Sequence, residues 1–583
     1  MPLPPTFSNH HQAALAGHEP AVKAALDELE KSQAAMRIWK KDPSLWTPDA
    51  AGEKVIANSL GWLTVARTMK ERLAELAAFA EEIRADGFKH VVVLGMGGSS
   101  LCPEVLRRTF GQRAGWPQLH VVDSTVPATV LRVERELDLA HSIFIVASKS
   151  GTTTEPVMFH RYFYDRVRSV AGAAKAGRQF IAITDPGTQL AKDAERDGFR
   201  RVFLNMPDIG GRYSALSYFG MVPFALAGGD VAGFLDRALE AAAACGPDLT
   251  GAENLGLRLG ATLGALALQG RDKLTIIAEP PIDSVGLWIE QLVAESTGKV
   301  GRGIVPIAGE PLGAPAEYGS DRIFVYLGTG APQGTTAEVI EALVSAGHPV
   351  LAHLLRDPLD LGAEFFLWEF ATAVAGAVLG VNPFDQPNVQ ESKDNTRRLL
   401  ADYVRDHKLA ALQPIAADHG VVISSDAQNA AALAGAAGLT SVICVHLARV
   451  RPGDYVALTE YIDESPEHDA LLAEIRIAIR RRTGAATTTG YGPRFLHSTG
   501  QLHKGGADNG IFIQITAADS EDAPLPGEPY GFSVLKGAQA LGDFESLAQR
   551  GRRAIRLDLG RDISAGLRRL LAGTEHPAQA RAV

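Results

Sequence analysis

The chain has 583 residues, of which 46% are hydrophobic, so it is long enough for more than one domain with a core of its own. Its formal net charge is −10 and its pI is near 5.9. An acidic protein gives no electrostatic reason to expect nucleic acid or an anionic membrane as a partner. A negatively charged ligand would need a locally positive site.

The cysteines and the apolar segments indicate the cellular compartment in which the protein works. Cys102, Cys245 and Cys444 are far apart and form no CxxC pair, so their spacing predicts neither a disulfide framework nor a zinc site. The amino terminus lacks the basic and apolar regions of a secretory signal. The longest apolar stretch, Phe365–Val381, contains Glu369 and is short for a bilayer span, so we interpret it as a buried helix. These features predict a cytoplasmic protein.

Four segments are predicted along the chain. A helical N-terminal segment occupies residues 1–49, and α/β domains follow at residues 50–245 and 246–400. Apolar runs separated by helix-length segments indicate a doubly wound parallel sheet in each domain. The predicted strands lie at 91–94, 119–122, 143–147, 180–184 and 201–204 in the first domain, and at 274–277, 322–327 and 349–351 in the second.

Residues 401–583 are predicted to form a C-terminal α/β extension. Ser465-Pro466-Glu467 marks the start of a helix that continues to about Arg482. The Ala/Gly-biased stretch Ala430–Gly438 is also predicted to be helical. The predicted strands are Val421–Ile423, Val442–Val445, Tyr455–Leu458, Ile511–Ile515 and Ile555–Leu557.

The first strand of the first domain runs into a glycine-rich turn. His90–Leu94 is followed by Gly95-Met96-Gly97-Gly98-Ser99-Ser100, whose glycines allow positive φ and a close approach of the backbone to a ligand. The turn does not match the dinucleotide-binding fingerprint, because its sixth position is Ser100 rather than glycine or alanine. Asp123, after the next strand, keeps NAD as a weaker alternative.

Another strand of that domain runs into a dense group of hydroxyls. Ile143–Ala147 is followed by Ser148-Lys149-Ser150-Gly151-Thr152-Thr153-Thr154, which has five hydroxyls in seven residues. The carboxyl ends of strands in α/β sheets bind anions, so this pattern favours a phosphate over an ordinary capped turn. Two such strand ends without an adenine-specific signal favour a sugar phosphate over a dinucleotide.

A third segment offers a carboxylate. The helical pattern Trp288–Glu295 ends at the glycine stop Ser296-Thr297-Gly298-Lys299. Gln291 and Glu295 are four residues apart and project from the same helix face, whereas Glu290 falls on another. A glutamate near a helix end is usually a solvated surface residue, so a functional interpretation depends on the neighbouring motifs.

Five motifs occur in order across residues 90–393. They are Gly95–Ser99, Ser148–Thr153, Gly210–Ser214, Gln291–Lys299 and Asn382–Lys393. In sequence and order they resemble the signatures of the glucose-6-phosphate isomerase family. Beyond them, Gly492–Gly506 resembles the terminal region of the isomerase half of bifunctional transaldolase/glucose-6-phosphate isomerase proteins, and this chain is too short to hold the transaldolase barrel as well.

The resemblance implies two flavodoxin-like sugar-isomerase (SIS) domains with the active site between them, and a homodimer. It also implies the reversible conversion of glucose 6-phosphate to fructose 6-phosphate in glycolysis and gluconeogenesis. The reaction passes through a cis-enediol intermediate and uses no metal or cofactor. The implied partners are therefore the two sugar phosphates.

The site residues are carried over motif by motif. Glu295 matches the carboxylate that moves the proton, and Arg212 matches the arginine that stabilises the enediolate. Lys393 matches the lysine implicated in ring opening, and Gln291 matches a glutamine that contacts the substrate. The residues that match the phosphate and sugar cradle are Gly98, Ser99, Ser148, Lys149, Ser150, Gly151, Thr152 and Thr153.

The chain departs from the family at the ring-opening histidine. Shorter bacterial members carry it in a His-Ser-x-Gly-Gln segment soon after the glutamate, but no histidine occurs here between Lys299 and His348. The pattern appears instead as His497-Ser498-Thr499-Gly500-Gln501. Spatial position rather than chain order decides catalysis, so we predict His497, not His348 or His353, as the ring-opening acid/base.

Two alternative functions remain open at this point. One is a non-catalytic regulator that binds sugar phosphates, although no basic recognition helix is evident at the amino terminus. The other is an isomerase that also accepts mannose 6-phosphate, because selectivity between the epimers depends on a contact at C2 that the sequence does not reveal.

Overall fold

Three β-sheets organise the chain in the computed structural model, which describes residues 11–47 and 49–576. The strands are β1 His11–Ala14, β2 His90–Leu94, β3 Gln118–Val122, β4 Ser142–Ala147, β5 Phe180–Thr184, β6 Arg201–Leu204, β7 Lys273–Ala278, β8 Val305–Ala308, β9 Arg322–Gly328, β10 Val350–Leu354, β11 Pro414–Asp418, β12 Val421–Ser424, β13 Tyr455–Tyr461, β14 Ala486–Tyr491, β15 Gly510–Thr516 and β16 Arg553–Asp558.

The α-helices account for most of the rest of the described chain. They are α1 Glu19–Lys31, α2 Ala34–Trp39, α3 Ala50–Ala57, α4 Trp62–Glu71, α5 Leu73–Ala85, α6 Leu101–Phe110, α7 Pro127–Glu136, α8 Thr154–Ala171, α9 Gln189–Arg196, α10 Tyr218–Leu226, α11 Val231–Ala244, α12 Leu255–Leu268, α13 Val285–Thr297, α14 Gly334–Ser345, α15 Leu361–Leu379, α16 Val389–Asp406, α17 Ala427–Ala432, α18 Gly438–Leu447, α19 Pro466–Thr483, α20 Gly500–Gly505, α21 Phe532–Gln549 and α22 Ile563–Glu575.

The first sheet is entirely parallel, with the strand order β3-β2-β4-β5-β6. Its five strands lie where the sequence predicts them. This is the flavodoxin-like order, whose ligand crevice lies at the carboxyl ends of the two strands where the order reverses, here β2 and β4. Every residue of β4 is buried, as expected for a strand covered by helices on both faces. The two predicted anion-binding turns therefore lie at the switch point of the sheet.

The second sheet has the order β1-β10-β9-β7-β8 and is parallel except for β1, which pairs antiparallel with β10. The predicted strands of this sheet are confirmed as β7, β9 and β10, whereas β8 and β1 were not predicted. The N-terminal segment, which is predicted to be helical, contains a strand at residues 11–14. Those residues have no apolar alternation, and backbone pairing with a sheet edge extends them.

The third sheet has the order β11-β12-β16-β15-β13-β14. Its β11–β12 and β12–β16 pairings are antiparallel, and its other pairings are parallel. The prediction of a strand at Val442–Val445 is wrong, because these residues lie within α18. The buried residues of α18 include Leu439, Val442, Ile443 and Leu447, which have helical spacing. The helix predicted at Ala430–Gly438 is shorter and lies earlier, at α17. The helix predicted from Ser465 is confirmed as α19, capped by that serine.

The longest apolar helix, α15, lies in the middle of the fold. Residues Pro358–Leu379 are long and apolar enough to cross a membrane, but 89% of the most apolar stretch is buried inside the protein. The helix packs against α11, α12 and α13. The prediction of a buried helix for this stretch is confirmed.

Candidate active site

The hydroxyl-rich loop after β4 forms a cluster of side chains that contact one another. Ser148 Oγ lies 3.3 Å and Ser150 Oγ lies 3.4 Å from Thr153 Oγ1, and the backbone N–H of Thr152 donates to Ser150 Oγ at 3.3 Å. The loop leads directly into α8. The free N–H groups and the dipole at a helix N-terminus favour an anion, so the hydroxyls and the helix converge on one point.

Lys149 and Gly151, in the same loop, contact neighbouring segments of the chain. The ammonium of Lys149 contacts the carboxylate of Asp185 and donates to the carbonyl oxygen of Pro207 at 3.0 Å. Gly151 has φ +67°, and a Cβ there would lie 2.8 Å from Cβ of Thr188. The lysine is therefore held by the loops after β5 and β6, and the glycine is required by both its φ and its packing.

The glycine turn after β2 is a point of close contact between distant segments. A Cβ on Gly98 would lie 2.0 Å from the carbonyl oxygen of Gly211, and one on Gly97 would lie 3.0 Å from both Gln291 Nε2 and His497 Cβ. Gly97 also has φ +56°. The turn thus allows three distant motifs to meet above the first sheet, and the serine that follows Gly98 is buried with it.

Arg212 and Glu295 form a buried ion pair. Arg212 Nη1 lies 3.3 Å from Glu295 Oε1, with the two side chains 3% and 10% exposed. Arg212 Nε donates to Ser296 Oγ at 2.7 Å, and Nη2 donates to the carbonyl oxygens of Pro383 at 2.6 Å and Asp385 at 3.0 Å. The guanidinium is therefore fixed beside the carboxylate by acceptors from two other segments.

Gln291 joins the carboxylate to the C-terminal part of the chain. Its Nε2 donates to Glu295 Oε2 at 3.1 Å and to the backbone carbonyl oxygen of His497 at 2.7 Å. Among the residues that the structure describes, Gln291 Oε1 is buried without a hydrogen-bond partner. A buried acceptor without a partner is costly, and a ligand hydroxyl would satisfy it.

His497 lies against a second buried carboxylate. Its Nε2 lies 3.2 Å from Glu155 Oε1, which also accepts from Gln539 Nε2 at 2.7 Å. Burial alone would raise the pKa of Glu155, but the nearby His497 and Lys393 charges lower it below its usual value. Lys393 is half-buried and lines the same small pocket as His497 and Glu155. The pocket therefore holds a histidine, its carboxylate partner and a cation.

The structure thus brings most of the predicted residues together. Hydrogen bonds or ion pairs link Arg212, Glu295, Gln291 and His497 in one continuous chain. Lys393 shares the pocket of His497, but no hydrogen bond between described residues joins it to them. Direct contacts place His497 in the cluster, despite its late position in the sequence.

Two residues of the site were missed from the sequence. Glu155 follows the hydroxyl loop in the first turn of α8, where a glutamate is typically a solvated helix-end residue; only its adjacency to the anion loop could have indicated it. Lys299 donates to the carbonyl oxygen of Asn382 and to Asp385 Oδ1, both at 2.7 Å. Burial, aided by the charge of Arg212, lowers the pKa of Lys299 to about 8.

Comparisons with known proteins agree with this arrangement. A family model described as phosphoglucose isomerase matches residues 49–244. The glucose-6-phosphate isomerase of Symbiobacterium thermophilum is 30% identical over 394 residues, which cover 59% of this chain and 87% of that protein. The glucose-6-phosphate isomerase of Enterococcus faecalis is 27% identical over 394 residues, which cover 58% and 86%.

A likeness in fold extends to solved structures. A hypothetical protein from Thermus thermophilus is 24% identical and matches with a TM-score of 0.56, over 67% of this chain and 100% of that one. That likeness concerns the fold alone. The ordered motifs, the family model and the bacterial relatives all indicate the same family. The chain belongs to the glucose-6-phosphate isomerase family.

Proposed function

We propose that this protein interconverts glucose 6-phosphate and fructose 6-phosphate through a cis-enediol intermediate. The observation that carries the proposal is the continuous contact from Arg212 through Glu295 and Gln291 to His497. An aldose–ketose isomerisation needs a base, a cation beside the developing oxyanion and a group that opens the ring. The cluster contains one candidate for each.

The phosphate is proposed to bind at the loop after β4. Ser148, Ser150, Thr152 and Thr153 supply hydroxyls at the N-terminus of α8, where backbone N–H groups add to the positive field. Because the protein is acidic overall, this local field is what allows a dianion to bind. Anchoring the phosphate would place the other end of the sugar toward the glycine turn and Gln291.

Ring opening is assigned to the pocket of His497. The C1–O5 bond breaks as a proton is delivered to O5 and another leaves the C1 hydroxyl, so the sugar gains no net proton. His497, oriented by Glu155, is proposed to handle the proton at O5. Lys393 lines the same pocket and is proposed to stabilise the charge that develops at the sugar oxygens.

The isomerisation itself is assigned to Glu295. Its carboxylate takes the proton from C2, and the electron pair forms the C1–C2 double bond while negative charge develops on O1. The same carboxyl group returns the proton to C1, while the proton of the C2 hydroxyl passes to O1, so that O1 becomes the C1 hydroxyl and C2 becomes the ketone. Arg212, 3.3 Å from Glu295, is proposed to stabilise the negative charge, as a fixed cation in a buried site does effectively.

We further propose that the C-terminal extension, residues 401–583, completes the active site. It supplies His497 and also Gln539, which binds the carboxylate partner of that histidine. The two preceding domains, at residues 50–245 and 246–400, would supply the phosphate loop with Arg212 and the Glu295 helix respectively. A homodimer is also proposed from the family, and light scattering of the purified protein tests it.

The decisive experiment is a coupled assay of the purified protein in both directions, with the reaction run in D2O. The proposal expects interconversion of the two sugar phosphates and exchange of the C2 proton with solvent deuterium. Binding of glucose 6-phosphate without turnover would contradict it and support a non-catalytic binding protein. A parallel assay with mannose 6-phosphate determines whether the enzyme has dual specificity.

A further inference from the structure

We propose that His11, His353 and Glu364 form a binding site for one divalent transition-metal ion of the Zn²⁺ class. The site lies at the edge of the second sheet, where β1 pairs with β10, and it is separate from the cluster described above. It has no hydrogen bond to Glu295 or Arg212 among the residues that the structure describes.

The three donor groups have the spacing of a ligand set. His11 Nε2 lies 3.2 Å from Glu364 Oε1, and His353 Nδ1 lies 2.8 Å from Glu364 Oε2. Available donor atoms of all three residues lie within 4.8 Å of one another. A tetrahedral zinc ion with bonds of about 2.0–2.1 Å holds its ligand atoms roughly 3.3 Å apart. Small side-chain movements would therefore convert the hydrogen-bonded cluster into a coordination sphere.

The fold explains why these residues meet. His11 and His353 are directly opposite each other in the β1–β10 pairing, so their side chains emerge on the same face of the sheet. Their rings are 4.2 Å apart between centroids. Glu364 lies in the first turn of α15, which begins soon after β10 ends. The helix thus brings one carboxylate to a pair of cross-strand imidazoles.

The surroundings are suited to holding a metal. Two imidazoles and a carboxylate are a ligand set that zinc uses in proteins. Zinc is a borderline-soft ion, and it binds both imidazole nitrogen and carboxylate oxygen. Glu364 is buried, and Trp368 Nε1 donates to its Oε2 at 3.1 Å, which fixes the carboxylate as outer-shell hydrogen bonds commonly do.

One nearby charge opposes the ion, and one feature leaves room for it. Arg258 lines the same groove as His353, so the Glu364 carboxylate must offset a neighbouring cation. A groove beside the two histidines is also lined by Gln12, Arg258 and Thr262. It gives a fourth, non-protein ligand such as water access to the ion.

Such an ion would fasten the N-terminal strand to the sheet. β1 has only four residues paired with β10, and a ligand that binds only the docked strand would stabilise the docked state. The sequence predicts no metal site, because the donors come from residues 11, 353 and 364 and form no local motif. The cysteine spacing on which that prediction depended plays no part in this site.

The first test measures retained metal. Purified protein is incubated with excess ZnCl2, passed through a desalting column and analysed for zinc by mass spectrometry. We expect about one zinc per chain, and at least a tenfold loss of retained zinc in H353A and in E364Q. E364Q nearly preserves the shape of the buried side chain, and its circular dichroism and isomerase activity report whether it is folded.

A matched control comes from a histidine pair elsewhere in the protein. His90 and His120 are in contact at 3.1 Å, so H120A removes a histidine from a similar pair outside the proposed site. It should retain as much zinc as the unaltered protein. An absence of retained zinc in the unaltered chain, or equal retention in E364Q, would overturn the proposal.

The second test measures the docking of β1. Hydrogen exchange of the backbone amides of residues 12–14 should slow about tenfold or more when Zn²⁺ is added to the unaltered protein, and should not respond to Zn²⁺ in E364Q. Zinc retention without this protection would refute the role of the ion in fastening the strand. Substitution with Co²⁺ should also produce the intense visible absorption of a four-coordinate ion, and this is expected to be absent in E364Q.

Discussion

The side-chain amide of Gln291 donates a hydrogen bond of 2.7 Å to the backbone carbonyl oxygen of His497, although 206 positions separate the two residues in the chain. The same amide nitrogen contacts Glu295. One glutamine therefore sets the position of the candidate base relative to the candidate ring-opening histidine. The roles of the residues joined by this contact can be tested by mutation.

Glu295→Gln should abolish most turnover while sugar-phosphate binding survives. Glutamine keeps the size of the side chain but cannot accept the C2 proton, so kcat should fall by about 10²–10⁴-fold. Inhibition by 6-phosphogluconate should change little, because that ligand needs no proton transfer. The matched control is Glu290→Gln on another face of the same helix, which should keep kcat within about threefold. Near-normal kcat in Glu295→Gln would contradict the assignment.

His497→Ala should slow the cyclic substrate more than the open-chain form, because ring opening precedes proton transfer at C2. Glu155→Gln should produce a smaller effect in the same direction, since it weakens the orientation of the histidine without removing it. Rates measured with the two forms of the substrate distinguish these outcomes. The exposed His419 provides a control, and an equal loss with both forms in His497→Ala would refute a ring-opening role.

Replacing Ser148, Ser150 and Thr153 together by Ala, Ala and Val should weaken glucose 6-phosphate and 6-phosphogluconate binding alike, because the two ligands share the phosphate. Each hydrogen bond to a charged group contributes about 1.5–3 kcal/mol, or about tenfold or more in Kd. Calorimetric titration of both ligands measures the effect. Unchanged affinity for 6-phosphogluconate would place the phosphate elsewhere.

Glu290 should make the protein less stable as the pH rises. Burial raises the pKa of Glu290 from 4.5 to about 8, so between these values the folded chain keeps a proton that the unfolded chain has released. The free energy of unfolding then falls with rising pH, by at most about 1.4 kcal/mol per unit from this group. Glu290→Gln removes this contribution.

Urea unfolding at pH 6 and pH 8 measures the effect of Glu290. The variant should lose less stability than the unaltered protein over this interval. Glu460 is also buried and its pKa is raised to about 8, so part of the dependence should remain in the variant. An identical dependence in both proteins would show that Glu290 is not protonated in the folded state.

The sequence predicted those parts of the site that are local in the chain. The loops after β2 and β4 follow short apolar strands, and the topology of a parallel sheet brings the ends of such strands together. Glu155 was missed because its role depends on a histidine 342 positions away. No local pattern encodes such a contact, and only the packing of the C-terminal extension on the first domain reveals it.

The errors in secondary structure have equally physical causes. Val442–Val445 is a short apolar run whose length suits a strand, but its neighbours Leu439 and Leu447 complete a helical stripe over a longer window. β1 contains two alanines, a glutamine and a histidine and is extended only because the edge of the second sheet offers it hydrogen bonds. Local preference was weak in both segments, and tertiary contacts decided the outcome.

The contact of Gly97 with both Gln291 and His497 has a consequence for the synthesis of the chain. The turn emerges from the ribosome early, the glutamine midway and the histidine near the end, and Gln539 follows later still. One face of the first sheet also shares its buried core with α21, through Phe532, Leu535 and Leu541, so this domain needs the last part of the chain for its packing as well as for its candidate site. Activity is therefore expected only when the last part of the polypeptide has been made and has docked.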